Sequence, residues 1–251
     1  PGSLGIAISE AIEAVVKSEG KAKYALGSVL GHVLLHQTIN GNEAILQMEQ
    51  AGDYPDIIVG CTGGGSNLAG LMFPFLGQQL RGGQKIDIIG CEPLSCPSFT
   101  KGKYAYDHGD MARMTPLIKM HTLGSDFLPP ANHSGGLRYH GMSYHLSHLY
   151  DLGLMRAKAY GQKDCFEAGV IFGKQEGIIP APEGNHAVKG AIDAALECKE
   201  KGESKTILFN LCGHGHFDMT AYDDYFSGKL ADDFYDENSA NQSLSKLPEI
   251  A

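Results

Sequence analysis

The sequence predicts an α/β fold built on a parallel sheet, and three observations carry that prediction. Apolar runs at 56–61, 85–92 and 205–211 read as strands covered on both faces. Stretches with helical spacing of apolar residues alternate with them, the order that builds a parallel sheet. Two of the runs end in glycine-rich turns, Gly63-Gly64-Gly65-Ser66-Asn67 and Cys212-Gly213-His214-Gly215-His216. Both lie at carboxyl ends of strands, where open parallel sheets bind ligands.

The elements follow in order. Ile6, Ile8, Ala11, Ile12, Val15 and Val16 recur at near-helical spacing, with Ser3 as the expected N-cap. The chain opens on Pro1 and runs straight into that cap, so it reads as a C-terminal piece of something longer. Ser18-Glu19-Gly20-Lys21 makes a turn, a mixed stretch passes through 24–28, and a second helix is expected over 42–50. The strand at 56–61, the glycine turn and a helix over 67–79 form the first β-α unit. The strand at 85–92 follows, rich in β-branched residues. Residues 95–142, rich in His, Gly and Pro, read as a long irregular functional loop. A helix at 144–152, a strand at 155–160 and a helix at 162–175 come next. After a turn at 176–183 come a long helix over 185–200, the strand at 205–211 and a helix from near Phe217. Beyond Gly228 the acidic, polar composition reads as a loose surface segment.

Composition narrows the function classes. The chain has 251 residues, 43% of them hydrophobic, enough to bury a substantial core. A formal net charge of -9 argues against nucleic acid or an anionic membrane as partner. No apolar stretch approaches the length of a membrane span. Six cysteines are scattered without a C-x-x-C pair, several inside apolar runs, as expected of buried free thiols in a reducing cytoplasm.

The chemistry is read from three turns. In the first, Gly63, Gly64 and Gly65 expose backbone N–H groups ahead of a helix N-terminus, a cradle for a phosphate. Ser66 adds a hydroxyl and Asn67 an amide. The alternative is a tight turn that uses glycine only for packing. No Gly-Lys-Ser/Thr follows, so this is not a P-loop, nor is it a dinucleotide fingerprint. In the second turn His214 and His216 lack an evident third partner, which sets a metal site aside. The third is Glu176-Gly177-Ile178-Ile179-Pro180-Ala181, where spacing alone makes Glu176 a solvated acid at a helix end.

Together these three motifs resemble the tryptophan synthase β chain family. The chain is more similar to its divergent second class, through Gly-Gly-Leu-Arg-Tyr-His-Gly at 135–141 and Gly-His-Gly-His-Phe-Asp at 213–218. The resemblance runs from Pro1 to Asp218. It implies an enzyme of fold type II that uses pyridoxal 5'-phosphate, with a monovalent cation as a further candidate cofactor. It implies that Gly63, Gly64, Gly65, Ser66 and Asn67 hold the cofactor phosphate. Cys212, with Gly213, would face the pyridine nitrogen where the family carries serine, and Glu176 would stand near the ring. Gly2, Ser3 and Arg138 would line the substrate side. The family's Schiff-base lysine lies upstream of the matched region, and no lysine here sits in a comparable motif. Residues 1–18 are then a remnant of an N-terminal domain, 19–228 the α/β domain and 229–251 a polar acidic tail. The implied reaction condenses L-serine with indole to L-tryptophan and water. The implied protein partners are the rest of the same protein, a second copy in a homodimer and a tryptophan synthase α chain. A related serine or threonine deaminase, a sulfhydrylase and a non-catalytic phosphate-ligand-binding domain are the alternatives. Two placements are expected: an anion within reach of the N–H groups at 64–67, and Cys212 at the end of a central strand, in the same cavity as Ser66.

Overall fold

The computed structural model describes residues 2–232 and 234–249. Its larger sheet pairs four strands in parallel, in the spatial order Arg156–Tyr160 (β5), Asp87–Pro93 (β2), Ile57–Cys61 (β1) and Ile207–Phe209 (β6). Every residue of β1 is buried, as its unbroken apolar run requires of a strand with helices on both faces. On one face α3 (Ser66–Leu80) packs its Leu68, Met72 and Phe75 against Ile58 and Ile88. On the other, α6 (Pro182–Lys201) and α5 (Gln162–Glu176) cover Val59, Ile89 and Cys91 through Ala194, Cys198 and Cys165.

Four expectations are corrected. The second helix, α2 (Gly31–Ala51), begins well before 42. Leu30 precedes it with no side-chain cap, so no local start signal marks it. Tertiary packing specifies this helix instead, because Gly41 lets it lie almost against the backbone of α3. A Cβ at Gly41 would sit 2.4 Å from the Leu71 carbonyl oxygen and 2.6 Å from that of Gly70. Within the stretch expected to be irregular, β3 (Lys103–His108) and β4 (Leu117–Thr122) form an antiparallel hairpin. Apolar and polar residues do not alternate along either strand, and Met120, His121 and Thr122 are buried in succession, so the period-two signal is absent. The buried carboxylate of Asp107 closes the pair by accepting a 2.7 Å hydrogen bond from Thr122 Oγ1.

β6 is not central: among the described residues it pairs only with β1 and forms the sheet edge. Its three residues are only half-buried, as an edge position allows. The acidic tail is not wholly loose either, since Glu237–Leu244 forms α8. The Asp236 carboxylate caps it by accepting from the Asn238 and Ser239 N–H groups. Ala240 then packs with Cys96, Leu123 and Phe127, too small an apolar contact for polar sequence to announce.

The first helix, α1 (Leu4–Lys17), is capped by Ser3 as expected, with Oγ accepting from the Ile6 N–H at 3.2 Å. Ile8 packs on Val29 and Tyr139. No helix among the described residues is long and apolar enough to cross a membrane.

Candidate active site

The site is built at the carboxyl ends of β1 and β6, with the glycine turn as its floor. Gly65 adopts φ +104°, a left-handed conformation that lets the chain leave β1 and enter α3 at once. Gly63, Gly64 and Gly65 are also pressed against their surroundings. A Cβ at Gly63 would lie 2.5 Å from the Gly136 carbonyl oxygen, and one at Gly64 would lie 2.4 Å from Ser28 Oγ. Packing alone therefore accounts for the absence of side chains.

It does not account for the donors. Among the described residues the N–H groups from Gly63 to Asn67 have no protein acceptor; the first helical bond of α3 runs from the Ala69 N–H to the Gly65 carbonyl. Gly63 to Ser66 are buried, and buried backbone donors are nearly always paired. A run of consecutive donors at a helix N-terminus is the arrangement that binds phosphate.

Cys212 reaches the same place from β6. Its Sγ is 3.3 Å from Cys61 Sγ, at the end of β1. Asn67 Nδ2 lies 3.1 Å from Cys61 Sγ and donates to the Cys61 carbonyl oxygen at 3.3 Å. Asn210 Nδ2 donates to Asn67 Oδ1. The Cys61 hydrogen bond lowers the Cys212 thiol pKa against the opposing effect of burial, and the same contact together with burial raises that of Cys61. At 3.3 Å either sulfur can be the donor of this hydrogen bond.

The turn that carries Cys212 is laced to the segment after α5. The Ala181 N–H donates to the Gly213 carbonyl at 3.0 Å, and the Gly215 N–H to the Ile179 carbonyl at 2.7 Å. Gly213, at φ +124°, supplies the backbone conformation this needs. Glu176 itself ends α5, exposed and without a hydrogen-bond or ion-pair partner among the described residues. A second carboxylate of this segment, Glu183, reaches the 135–138 turn, where its Oε1 accepts from the Gly136 N–H at 2.9 Å. Its negative charge adds a smaller contribution against ionisation of both site thiols, one that the Cys61 hydrogen bond outweighs at Cys212.

Arg138 is committed to backbone: Nε donates to the Pro130 carbonyl and Nη2 to that of Pro129, each at 2.6 Å. Its Nη2 also lies 3.4 Å from the Gly2 carbonyl, so Arg138 and the Gly2-Ser3 pair are brought together. Val29 links this side to the glycine turn, since it packs on Ile8 and its Cγ1 would lie 2.8 Å from a Cβ at Gly64. His214 and His216 are exposed, and no cluster of three or more metal-ligating side chains occurs among the described residues.

Comparison with known proteins gives this site its class. The profile of the pyridoxal-phosphate dependent enzymes matches residues 11–213, and the chain belongs to that family. It is 59% identical over 235 residues to tryptophan synthase beta chain 2 of Aquifex aeolicus, covering 92% of this chain and 54% of that one. To the protein of the same name from Methanosarcina mazei it is 58% identical over 230 residues, covering 92% and 52%. The chain spans about half the length of these relatives. An O-acetyl serine sulfhydrylase isoform 3 from Entamoeba histolytica superposes with TM-score 0.60 at 16% identity, over 94% of this chain and 58% of that one. A fungal L-serine ammonia-lyase from Rhizomucor miehei gives 0.61 at 14%, over 86% and 64%. These two likenesses show the fold, that of fold type II pyridoxal-phosphate enzymes. The residues present fit the cofactor, because the unpaired donors of the glycine turn match the phosphate it carries.

Proposed function

We propose that this chain forms the phosphate-binding part of a pyridoxal-phosphate lyase that joins L-serine to indole, giving L-tryptophan and water. The observation that carries the reading is the run of N–H groups from Gly63 to Asn67 without protein acceptors, in a chain 59% identical to a tryptophan synthase β chain. In this reading the N–H groups of Gly64 to Asn67 and the Ser66 hydroxyl donate to the cofactor phosphate. When bound, the cofactor supplies the electron sink for loss of the serine hydroxyl and for carbon–carbon bond formation. Cys212 and Gly213 border its ring, and Cys212 meets it as a sulfur already in hydrogen-bond contact with Cys61. Glu176 is assigned a place near the ring, and Glu183 holds the 135–138 turn in place. Gly2, Ser3 and Arg138 shape the substrate side, Arg138 by fixing the Pro129–Pro130 backbone. A monovalent cation as second cofactor, a homodimer, an α-chain partner and a cytoplasmic setting belong to the same proposal.

The covalent lysine implied by the resemblance has no counterpart among this chain's lysines, so the chain on its own is proposed to be inactive. Incubated with cofactor, L-serine and indole, it is expected to form no tryptophan and no borohydride-stable cofactor linkage. A longer form spanning the relatives' full length is expected to form tryptophan. Tryptophan at enzyme-like rates from the chain alone would refute the lysine assignment. Pyruvate or cysteine as the main product of the longer form would favour a deaminase or a sulfhydrylase.

A further inference from the structure

Two of the six cysteines stand apart from the rest. Cys61 is buried with Leu137 and Ala187, Cys212 is half-buried against the same cluster, and their sulfurs are 3.3 Å apart. The pair bridges neighbouring parallel strands. β1 and β6 run in register from Ile57↔Ile207 to Val59↔Phe209, and continuing it puts Cys61 opposite Leu211, beside Cys212. Adjacent strands lie ~5 Å apart, within the Cα separation that a disulfide spans. The sulfurs need approach by only about 1.3 Å to reach bonding distance. A rotation of the Cys212 side chain, on a turn outside the regular strand, is the movement available.

We propose that Cys61 and Cys212 form a reversible disulfide under peroxide, a redox-controlled closure at the end of β1 beside the glycine turn. The half-buried Cys212 sulfur attacks one peroxide oxygen and the O–O bond breaks, giving a sulfenic acid and water. Cys61 sulfur then attacks Cys212 sulfur, the S–O bond breaks, and the hydroxyl leaves as a second water with the Cys61 proton. Two thiols lose two electrons and one hydrogen peroxide gains them. The shared hydrogen bond prepares both roles, because it leaves Cys212 the more acidic thiol and Cys61 the resolving one. The Asn67 amide, 3.1 Å from Cys61 Sγ, holds the resolving sulfur in place.

The chemistry is independent of the cofactor; its consequence rests on the proposed function, in which Cys212 sulfur faces the bound ring. The test is peptide mapping of the purified chain after hydrogen peroxide, under non-reducing conditions. A linked 61–212 peptide about 2 Da below the sum of its parts is expected, reversed by dithiothreitol. Free thiols should fall from six by two, to four. In Cys61→Ser, dimedone should label Cys212, because the resolving thiol is gone. Absence of the linked peptide, a link between other cysteines, or no dimedone label on Cys212 would overturn the proposal. Repeating the oxidation with pyridoxal phosphate present separates the two readings. If the link forms at an unchanged rate, the disulfide stands and the placement of Cys212 against the cofactor fails.

Discussion

At the residue scale the site depends on Gly65, whose backbone no other residue adopts cheaply. A Cβ there would meet Leu146 Cδ1 at 2.5 Å and Met142 Sδ at 2.9 Å, on a backbone already at φ +104°. Gly65→Ala is therefore expected to lower unfolding free energy by about 2–4 kcal/mol, measured by urea denaturation, and to abolish phosphate binding. Two buried titrating groups set an opposed pH dependence. Burial pushes the Glu92 carboxyl from 4.5 up to about 7, against hydrogen bonds from Thr100 and Phe99. Between those values the folded chain binds more protons than the unfolded one, so stability falls as pH rises. Burial pushes His186 from 6.5 down to about 4, so in that window the folded chain binds fewer protons and stability rises with pH. Glu92→Gln removes the falling contribution and leaves the rising one. The expected result is a slope between pH 4.5 and 6.5 steeper by up to roughly 1.4 kcal/mol per pH unit in urea titrations; an unchanged slope would contradict it. The glycine turn was legible because its chemistry is local, and Cys212 was singled out by the resemblance. Cys61, Asn210 and Glu183 were not, since their partners lie far along the chain; the one signal for Glu183 was Pro182 opening a helix.

At the element scale the strands and glycine-flanked helices around the sheet were readable from apolar runs. What escaped was specified by contacts between elements. The start of α2 carries no cap, and its course is fixed by close approach to α3 at Gly41 and Gly70. In an exposed helix Gly→Ala would stabilise by up to about 1 kcal/mol. At Gly41 the two carbonyl oxygens within 2.6 Å of the new Cβ reverse that sign. Gly41→Ala is expected to destabilise by about 1–3 kcal/mol in urea or thermal unfolding; a gain in stability would show that α2 and α3 can separate at little cost. The β3–β4 hairpin escaped for a related reason: buried Asp107 and Thr122 are joined by a hydrogen bond across the two strands, a contact that local sequence does not announce.

At the scale of the whole molecule, an acidic chain is proposed to hold a phosphate with backbone donors rather than with cationic side chains. A net charge of -9 does not oppose this, since the donors lie at one strand-to-helix turn and act over a few ångströms. The same sheet edge gathers Cys61, Asn67, Asn210 and Cys212 around that turn, so the parallel topology, by setting β6 beside β1, is what assembles the site. The most direct test follows the backbone amide resonances of Gly63 to Asn67 while the chain is titrated with pyridoxal 5'-phosphate, inorganic phosphate and unphosphorylated pyridoxal. The account expects saturable shifts at Gly64 to Asn67 with the two phosphate compounds and little change with pyridoxal. Amides there that stay unmoved while pyridoxal 5'-phosphate binds elsewhere, or that respond equally to pyridoxal, would contradict it.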